Sequence, residues 1–260
     1  MHERTVENQL TTANMPARVL LTGASQGIGK AILLALARSR HFVLGVSRTQ
    51  PQELADPARS LESDHLAWKR LDLSNAADVA QCASSLEPIA IRALILCAAD
   101  YGASERHPAS STSAQEWQQV MATNCVGHCL LVSRLLPKLI TNSPGIIINL
   151  SSDVALLPGP GRAAYAASKA GLHAMLRAVA AEHSVECLRV YQLIPTFQLI
   201  TNGIRRRRPI GFDFSSYADP ALIAPIVQQI VSPYSSLIAP GTYLVRRDGA
   251  MDRYPEITEL

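Results

Sequence analysis

An apolar run, Arg18–Thr22, passes directly into Gly23-Ala24-Ser25-Gln26-Gly27-Ile28-Gly29, and a helical pattern follows from Ile28 to about Ala37. A strand that meets a glycine-rich turn and then a helix opens a βαβ unit, whose return strand must lie parallel to the first. The chain repeats that alternation. Apolar or alternating runs at about Phe42–Val46, Leu66–Leu71, Ile91–Cys97, Ile146–Leu150, Glu186–Leu193 and Gly241–Val245 read as strands. Helical stretches separate them: from Ser74 to near Pro88, Ser113–Leu136 (ended by Pro137), Arg162–Glu182, and from Asp219-Pro220 to about Ile230. The continuous apolar run at Ile91–Cys97 suits a strand covered on both faces. The expected architecture is therefore a single α/β domain over residues 17–260. It is a Rossmann-type doubly wound parallel sheet of about seven strands with helices on both faces, preceded by a flexible tail, 1–16.

Composition narrows the function classes. With 48% hydrophobic and 17% charged residues, the chain reads as an ordinary globule. Its apolar runs fall short of the roughly 20 residues that cross a bilayer, so no membrane span is expected. Glu3 and Glu7 among the first residues argue against secretory or transit signals. The five cysteines show no CxxC pair and no metal-ligand spacing, which suits reduced thiols in the cytoplasm and no metal site. A formal charge of +3 is too mild to point to nucleic acid.

The first turn carries chemistry. Glycine lets the backbone bend sharply and approach a pyrophosphate, and the helix start beyond it offers unpaired amides and a partial positive charge. Gly23, Ser25, Gln26, Gly27, Ile28 and Gly29 are thus candidates to hold a dinucleotide. Tyr165 and Lys169, four apart on a strongly patterned helix, share one face, and Ser152 follows the fifth strand. A phenol near pKa ~10 is protonated at neutral pH, and a neighbouring ammonium favours its phenolate, so Tyr165 becomes a usable acid and base. Ser152 can donate to an oxygen that gains charge. Only four lysines occur in the chain, and one falls on this spacing.

Thr22-Gly-x-x-x-Gly-x-Gly29 with Ser152 and Tyr165-Ala-Ala-Ser-Lys169 resembles the short-chain dehydrogenase/reductase family over about residues 18–250. That resemblance implies hydride transfer between a nicotinamide and a carbonyl or alcohol (a ketone, aldehyde or 3-oxoacyl group), with Asn124, Ser152, Tyr165 and Lys169 as the catalytic set. Asn124 would hold a water that relays protons to Lys169. It also implies cofactor contacts from Asp72, Leu73, Ala98, Tyr165, Lys169 and Pro195, and a homodimer or homotetramer built on the helices at 113–136 and 162–182. The second strand ends in Ser47-Arg48 without an acidic residue. An acid there would bind the NAD ribose, whereas a guanidinium grips a 2′-phosphate, so NADP(H) is the expected cofactor.

Two stations depart from the family pattern. Cys97-Ala98-Ala99-Asp100 stands where Asn-Asn-Ala-Gly is usual, and Pro195-Thr196 where Pro-Gly is usual. These changes leave room for a non-catalytic NADP(H)-binding regulator or scaffold on the same fold. Sugar epimerases of this fold carry a large C-terminal substrate domain for which the chain has no room, and enoyl reductases place their lysine farther along. The segment Phe197–Tyr217 occupies the place of a substrate lid. Its Arg205–Arg208 run is either a solvated basic stretch or a steering surface for an anionic substrate.

Overall fold

The computed structural model describes residues 18–52, 65–103, 106–232 and 238–255. The tail 1–16 lies outside the described residues, as do residues 53–64 between the second and third strands. One eight-stranded sheet forms the centre, in the order β3-β2-β1-β4-β5-β6-β7-β8. Its strands are β1 Arg18–Thr22, β2 Phe42–Ser47, β3 Leu66–Arg70, β4 Ala93–Leu96, β5 Gly145–Leu150, β6 Leu188–Pro195, β7 Gly241–Val245 and β8 Met251–Arg253. All neighbours are parallel except β8, which turns back antiparallel on β7. This eighth strand escapes the sequence pattern because it is only three residues long. Asp248-Gly249 makes the hairpin that returns it: Asp248 Oδ1 accepts the Ala250 amide, and Gly249 sits at φ +86.

Among the described residues seven α-helices accompany the sheet: α1 Gly27–Arg38, α2 Ala76–Ser85, α3 Ala114–Met121, α4 Gly127–Thr141, α5 Ala163–Ala181, α6 Asn202–Arg205 and α7 Ala224–Val231. Alternate strand residues point to opposite faces. Val19, Leu21, Ile95, Ile148 and Leu193 pack under α1 and α7 with Ile32, Leu36, Val227 and Ile230. Leu20, Leu94, Ile147 and Val190 pack under α2, α4 and α5 with Val79, Leu131, Leu135 and Leu176. Each such side chain contributes roughly 1.5–3 kcal/mol when fully buried. That two-sided cover is why β1, β4 and β5 read as unbroken apolar runs. The stretch Ala114–Thr141 is long and apolar enough to cross a membrane, but its Leu131, Val132, Leu135 and Leu139 are spent on this core.

Several local expectations shift. The third helix does not end at Pro137; it runs on to Thr141, whose hydroxyl donates to the Pro137 carbonyl at 2.9 Å. The disturbance lies earlier, in a π-helical turn at Ala122–Val126 that joins α3 to α4. Ser113 caps α3 by accepting the Glu116 amide, but the Glu116 carboxylate goes to the Ala103 amide and His107 rather than back to the cap. α2 begins slightly later than Ser74, capped by Asn75, which accepts the Ala77 and Asp78 amides. Asp219 caps as expected, although its first turn, Pro220–Ile223, is a 3₁₀ turn before α7.

Candidate active site

The strand order reverses between β1 and β4, and there the carboxyl ends of the strands splay to leave a crevice, the place where such sheets hold ligands. A cleft of about 620 Å³ opens at this point, walled by the glycine loop, the ends of β2 and β3, Cys97–Tyr101, and Thr201–Gly203 with Arg206 and Arg207. The loop is built for close approach. A Cβ on Gly29 would lie 2.2 Å from the Gly23 carbonyl oxygen, and one on Gly23 would lie 2.7 Å from the Ala98 backbone. Gly23 and Gly27 both take positive φ. The start of α1 has no side-chain cap and no acid in its first turn, so its amides remain available to an anion. A dinucleotide pyrophosphate fits that cradle.

At the far end of the cleft, Ser47, Arg48, Asp72 and Leu73 line the wall as expected. Ser47 is not free to donate, however. Its hydroxyl donates to the Thr49 carbonyl at 2.7 Å and accepts from the Trp68 indole at 2.9 Å. A 2′-phosphate would need a donor there, and the exposed Arg48 guanidinium offers one. Asp72 accepts the Ser74 amide and hydroxyl. Those bonds, with Arg48 and Arg70 nearby, outweigh the upward effect of its partial burial and hold its carboxyl below the usual range.

Tyr165 and Lys169 lie one turn apart on α5, both buried. The Lys169 ammonium donates to the Leu150 carbonyl at 3.0 Å, at the end of β5, and sits 6.0 Å from the centre of the Tyr165 ring. Burial lowers its pKa to about 8. Burial, and then Tyr101, raise the Tyr165 phenol well above its ordinary value, while the neighbouring Ser152 hydroxyl pulls the other way. The Ser152 hydroxyl itself donates to Asp153 Oδ1 at 2.8 Å. Tyr165, Lys169, Ser152 and Pro195 do not line the cleft; Tyr101 stands between, lining it and stacking on Tyr165 with ring centres 4.9 Å apart. No periodicity or motif singles out Tyr101, since its place over Tyr165 depends on the path of the loop after β4.

Asn124 holds that loop. Its side-chain amide accepts the Asp100 N–H and donates to the Asp100 carbonyl, both at 2.6 Å, and also donates to Ser168 Oγ at 3.0 Å. This pairing clamps the backbone just before Tyr101. The Asn124 carbonyl, in the π turn, accepts Nδ1–H of His128 at 3.1 Å. Because a carbonyl can only accept, His128 Nε2 is left as an acceptor and takes the Thr22 hydroxyl proton at 3.0 Å. Thr22 Oγ1 in turn accepts the Cys97 amide at 2.9 Å and the Ala98 amide at 3.2 Å. Burial pushes the His128 pKa down to about 4, so the ring is neutral and the chain of bonds intact at pH 7. A threonine, a histidine and an asparagine thus tie β1 and β4 to the helix. They do the steadying for which Cys97 and Ala98 have no side-chain amide. On the other side, Asn149 of β5 donates to Gln192 of β6 at 3.1 Å. Thr196 continues the sheet, its amide and hydroxyl both donating to the Val245 carbonyl.

The thiols of Cys125 and Cys129 face each other, and Cys125 Sγ lies against Gly171 of α5. All five cysteines are free.

Residues 17–208 match the family model described as short chain dehydrogenase. The chain belongs to that family. It is 29% identical over 229 residues to a 3-oxoacyl-[acyl-carrier-protein] reductase of Rickettsia bellii, covering 84% of this chain and 90% of the relative. It is 31% identical over 180 residues to 2-(R)-hydroxypropyl-CoM dehydrogenase of Xanthobacter autotrophicus, covering 68% and 72%. The fold matches a solved 3-oxoacyl (acyl-carrier-protein) reductase of Agrobacterium tumefaciens with NADP bound, at TM-score 0.78, 21% identity, and 92% and 97% coverage. As a short-chain dehydrogenase, the protein is an oxidoreductase that transfers hydride between a nicotinamide and a carbonyl or alcohol.

Proposed function

We propose that the protein is an NADP(H)-dependent reductase or dehydrogenase of a small carbonyl or secondary alcohol, with Tyr165 as its acid and base. One observation supports this above the rest: Ser152, Tyr165 and Lys169 converge at the end of β5, across Tyr101 from a cleft whose glycine cradle leaves no space for a Cβ. Bound in the cleft, the nicotinamide would supply the hydride. Gly23, Ser25, Gln26, Gly27, Ile28 and Gly29 hold the pyrophosphate, Arg48 the 2′-phosphate, and Asp72, Leu73 and Ala98 the adenine side. In reduction the substrate carbon gains hydride, and its oxygen takes the phenolic proton of Tyr165. Ser152, turning from Asp153, donates a hydrogen bond to that oxygen as charge develops. The Lys169 ammonium, charged below pH about 8, favours the phenolate left behind. Asn124 positions the Asp100–Tyr101 loop and, through its carbonyl, His128. The relatives named for 3-oxoacyl and hydroxyalkyl substrates support this range of substrates.

Assembly into a homodimer or homotetramer through the exposed sides of α3, α4 and α5 belongs to the same reading, as does a cytoplasmic location. Light scattering at micromolar concentration should give a multiple of the chain mass. Turnover is tested by following NADPH and NADH oxidation against a panel of ketones, aldehydes and acyl thioesters. Reduction of at least one carbonyl, with NADPH preferred, is expected. Tight NADPH binding without reduction of any of them would instead mark a binder without turnover.

A further inference from the structure

The arginine run Arg205–Arg208 divides once the chain is folded. Arg205 lies 5.0 Å from the Phe214 ring centre. Arg208 lies 5.1 Å from that of Phe212 and donates to Tyr217 Oη at 2.9 Å. These two brace an aromatic cluster inside the lid, where Phe212, Phe214 and Tyr217 meet edge to face. Arg206 reaches the opposite way, donating to Gln26 Oε1 over the glycine loop at 3.3 Å. Arg207 alone turns to the reacting end: its guanidinium lies 4.4 Å over Tyr101, whose ring stacks on Tyr165.

A second guanidinium enters the same space from another segment. Arg162 is the residue before α5, three positions ahead of Tyr165. Burial, and then Arg106 and Arg208, depress its pKa; burial, and then Arg162, depress that of Arg207. Arg106 is brought in by the Arg106–His107 segment, which packs on Gly161. Among the described residues, neither Arg162 nor Arg207 forms an ion pair, and Arg207 Nη1 is buried without a hydrogen-bond partner. Asp100, an acid acting on Arg207, uses Oδ1 on the Gly102 amide.

Half-buried like charges held together without a direct ion pair, with Asp100 acting only on Arg207, are unfavourable, and an oxyanion between them would gain charge-assisted, two-pronged bonds. Arg207 lines the cofactor cleft but Arg162 lies off its wall, and the proposed phosphate contacts are the glycine loop and Arg48, so an anion held by both guanidiniums is a ligand other than the cofactor. Resting on the hydride-transfer reading above, we infer that the substrate is an oxo or hydroxy acid whose carboxylate is held by Arg207 and Arg162 beside Tyr165.

The test is a set of matched pairs with NADPH: pyruvate, acetoacetate and levulinate, each against its methyl ester. At least one acid should be reduced with kcat/KM about tenfold or more above its ester, the size of one charge-assisted contact. Arg162→Gln and Arg207→Gln should each bring that acid-to-ester ratio toward one, through KM. Arg205→Gln should leave it unchanged. Unaltered melting temperature and NADPH affinity in the variants would separate this from misfolding or cofactor loss. Equal rates for acids and esters would overturn the anion site while leaving hydride transfer standing. If no probe is reduced although NADPH binds, hydride transfer to such carbonyls fails. Calorimetry of each acid and ester on the Tyr165→Phe–NADPH complex then decides the anion site alone: acid preferred supports it, no preference ends it.

Discussion

At the glycine-loop end, the cleft is shaped by main chain: Gly23, Gly27 and Gly29 let backbone approach backbone, and the amides that await a ligand belong to one continuous stretch, β1 into α1. Around Tyr165, behind the cleft wall, side chains from separate segments shape the site: Tyr101 after β4, Asn124 and His128 across the π turn, Arg162 before α5 and Arg207 in the lid. The first kind of site depends on local geometry and tolerates no added carbon. The second depends on long-range contacts, so single side chains can be exchanged and the chemistry retuned.

The sharpest way to break the comparison is to remove a group that acts only at the second end. Tyr165→Phe should lower kcat about 10²–10⁴-fold, the usual scale of general acid–base catalysis, with NADPH affinity nearly unchanged by fluorescence titration. Full activity in that variant would end the assignment. At the opposite end, Arg48→Ala should weaken NADPH binding about tenfold or more and leave NADH binding alone. Because the Ser47 hydroxyl is already committed to Thr49, Ser47→Ala should do much less; equal losses in the two variants would contradict the arrangement.

The link between the ends is His128, and its test is a pH dependence. Its pKa is depressed in the fold, to about 4 from 6.5, so the unfolded chain binds the proton first as pH falls. Stability owed to the neutral ring is therefore complete above pH 6.5 and is lost between 6.5 and 4. Between pH 7 and 5 the loss should be about 2 kcal/mol. Urea denaturation at the two pH values should show that slope in the wild type and a slope smaller by that amount in His128→Gln. Identical slopes would mean that the ring is not neutral in the fold. The smallest effect is expected from Asp248→Ala, at the β7–β8 hairpin, whose side chain makes one exposed turn bond and an ion pair with Arg246; melting should shift only slightly.

The order of strands and helices, the glycine cradle and the Tyr165–Lys169 spacing were legible in the chain because each is a local pattern. Strand alternation, a turn that needs glycine, and one helical turn all lie within a few residues of sequence. The same locality explains what was misplaced. Pro137 looks like a helix stop, but the helix it sits in is held by Leu131, Leu135 and Leu139 against the sheet, and tertiary packing overrides the propensity. Ser47 stands at the expected phosphate end, and only the fold shows its hydroxyl donating to Thr49 while accepting from Trp68, twenty-one positions away.

Periodicity and spacing thus carry a doubly wound sheet, a glycine turn between its first strand and helix, and Tyr165 and Lys169 on one helix face. Long-range packing sets the rest: Tyr101 covers Tyr165, His128 links Thr22 to Asn124, and Arg207 turns toward Tyr101 while its neighbours in the run turn elsewhere. The reason is physical: adjacent side chains on a short turn point in different directions, and which one meets a distant partner is settled by packing, not by position along the chain.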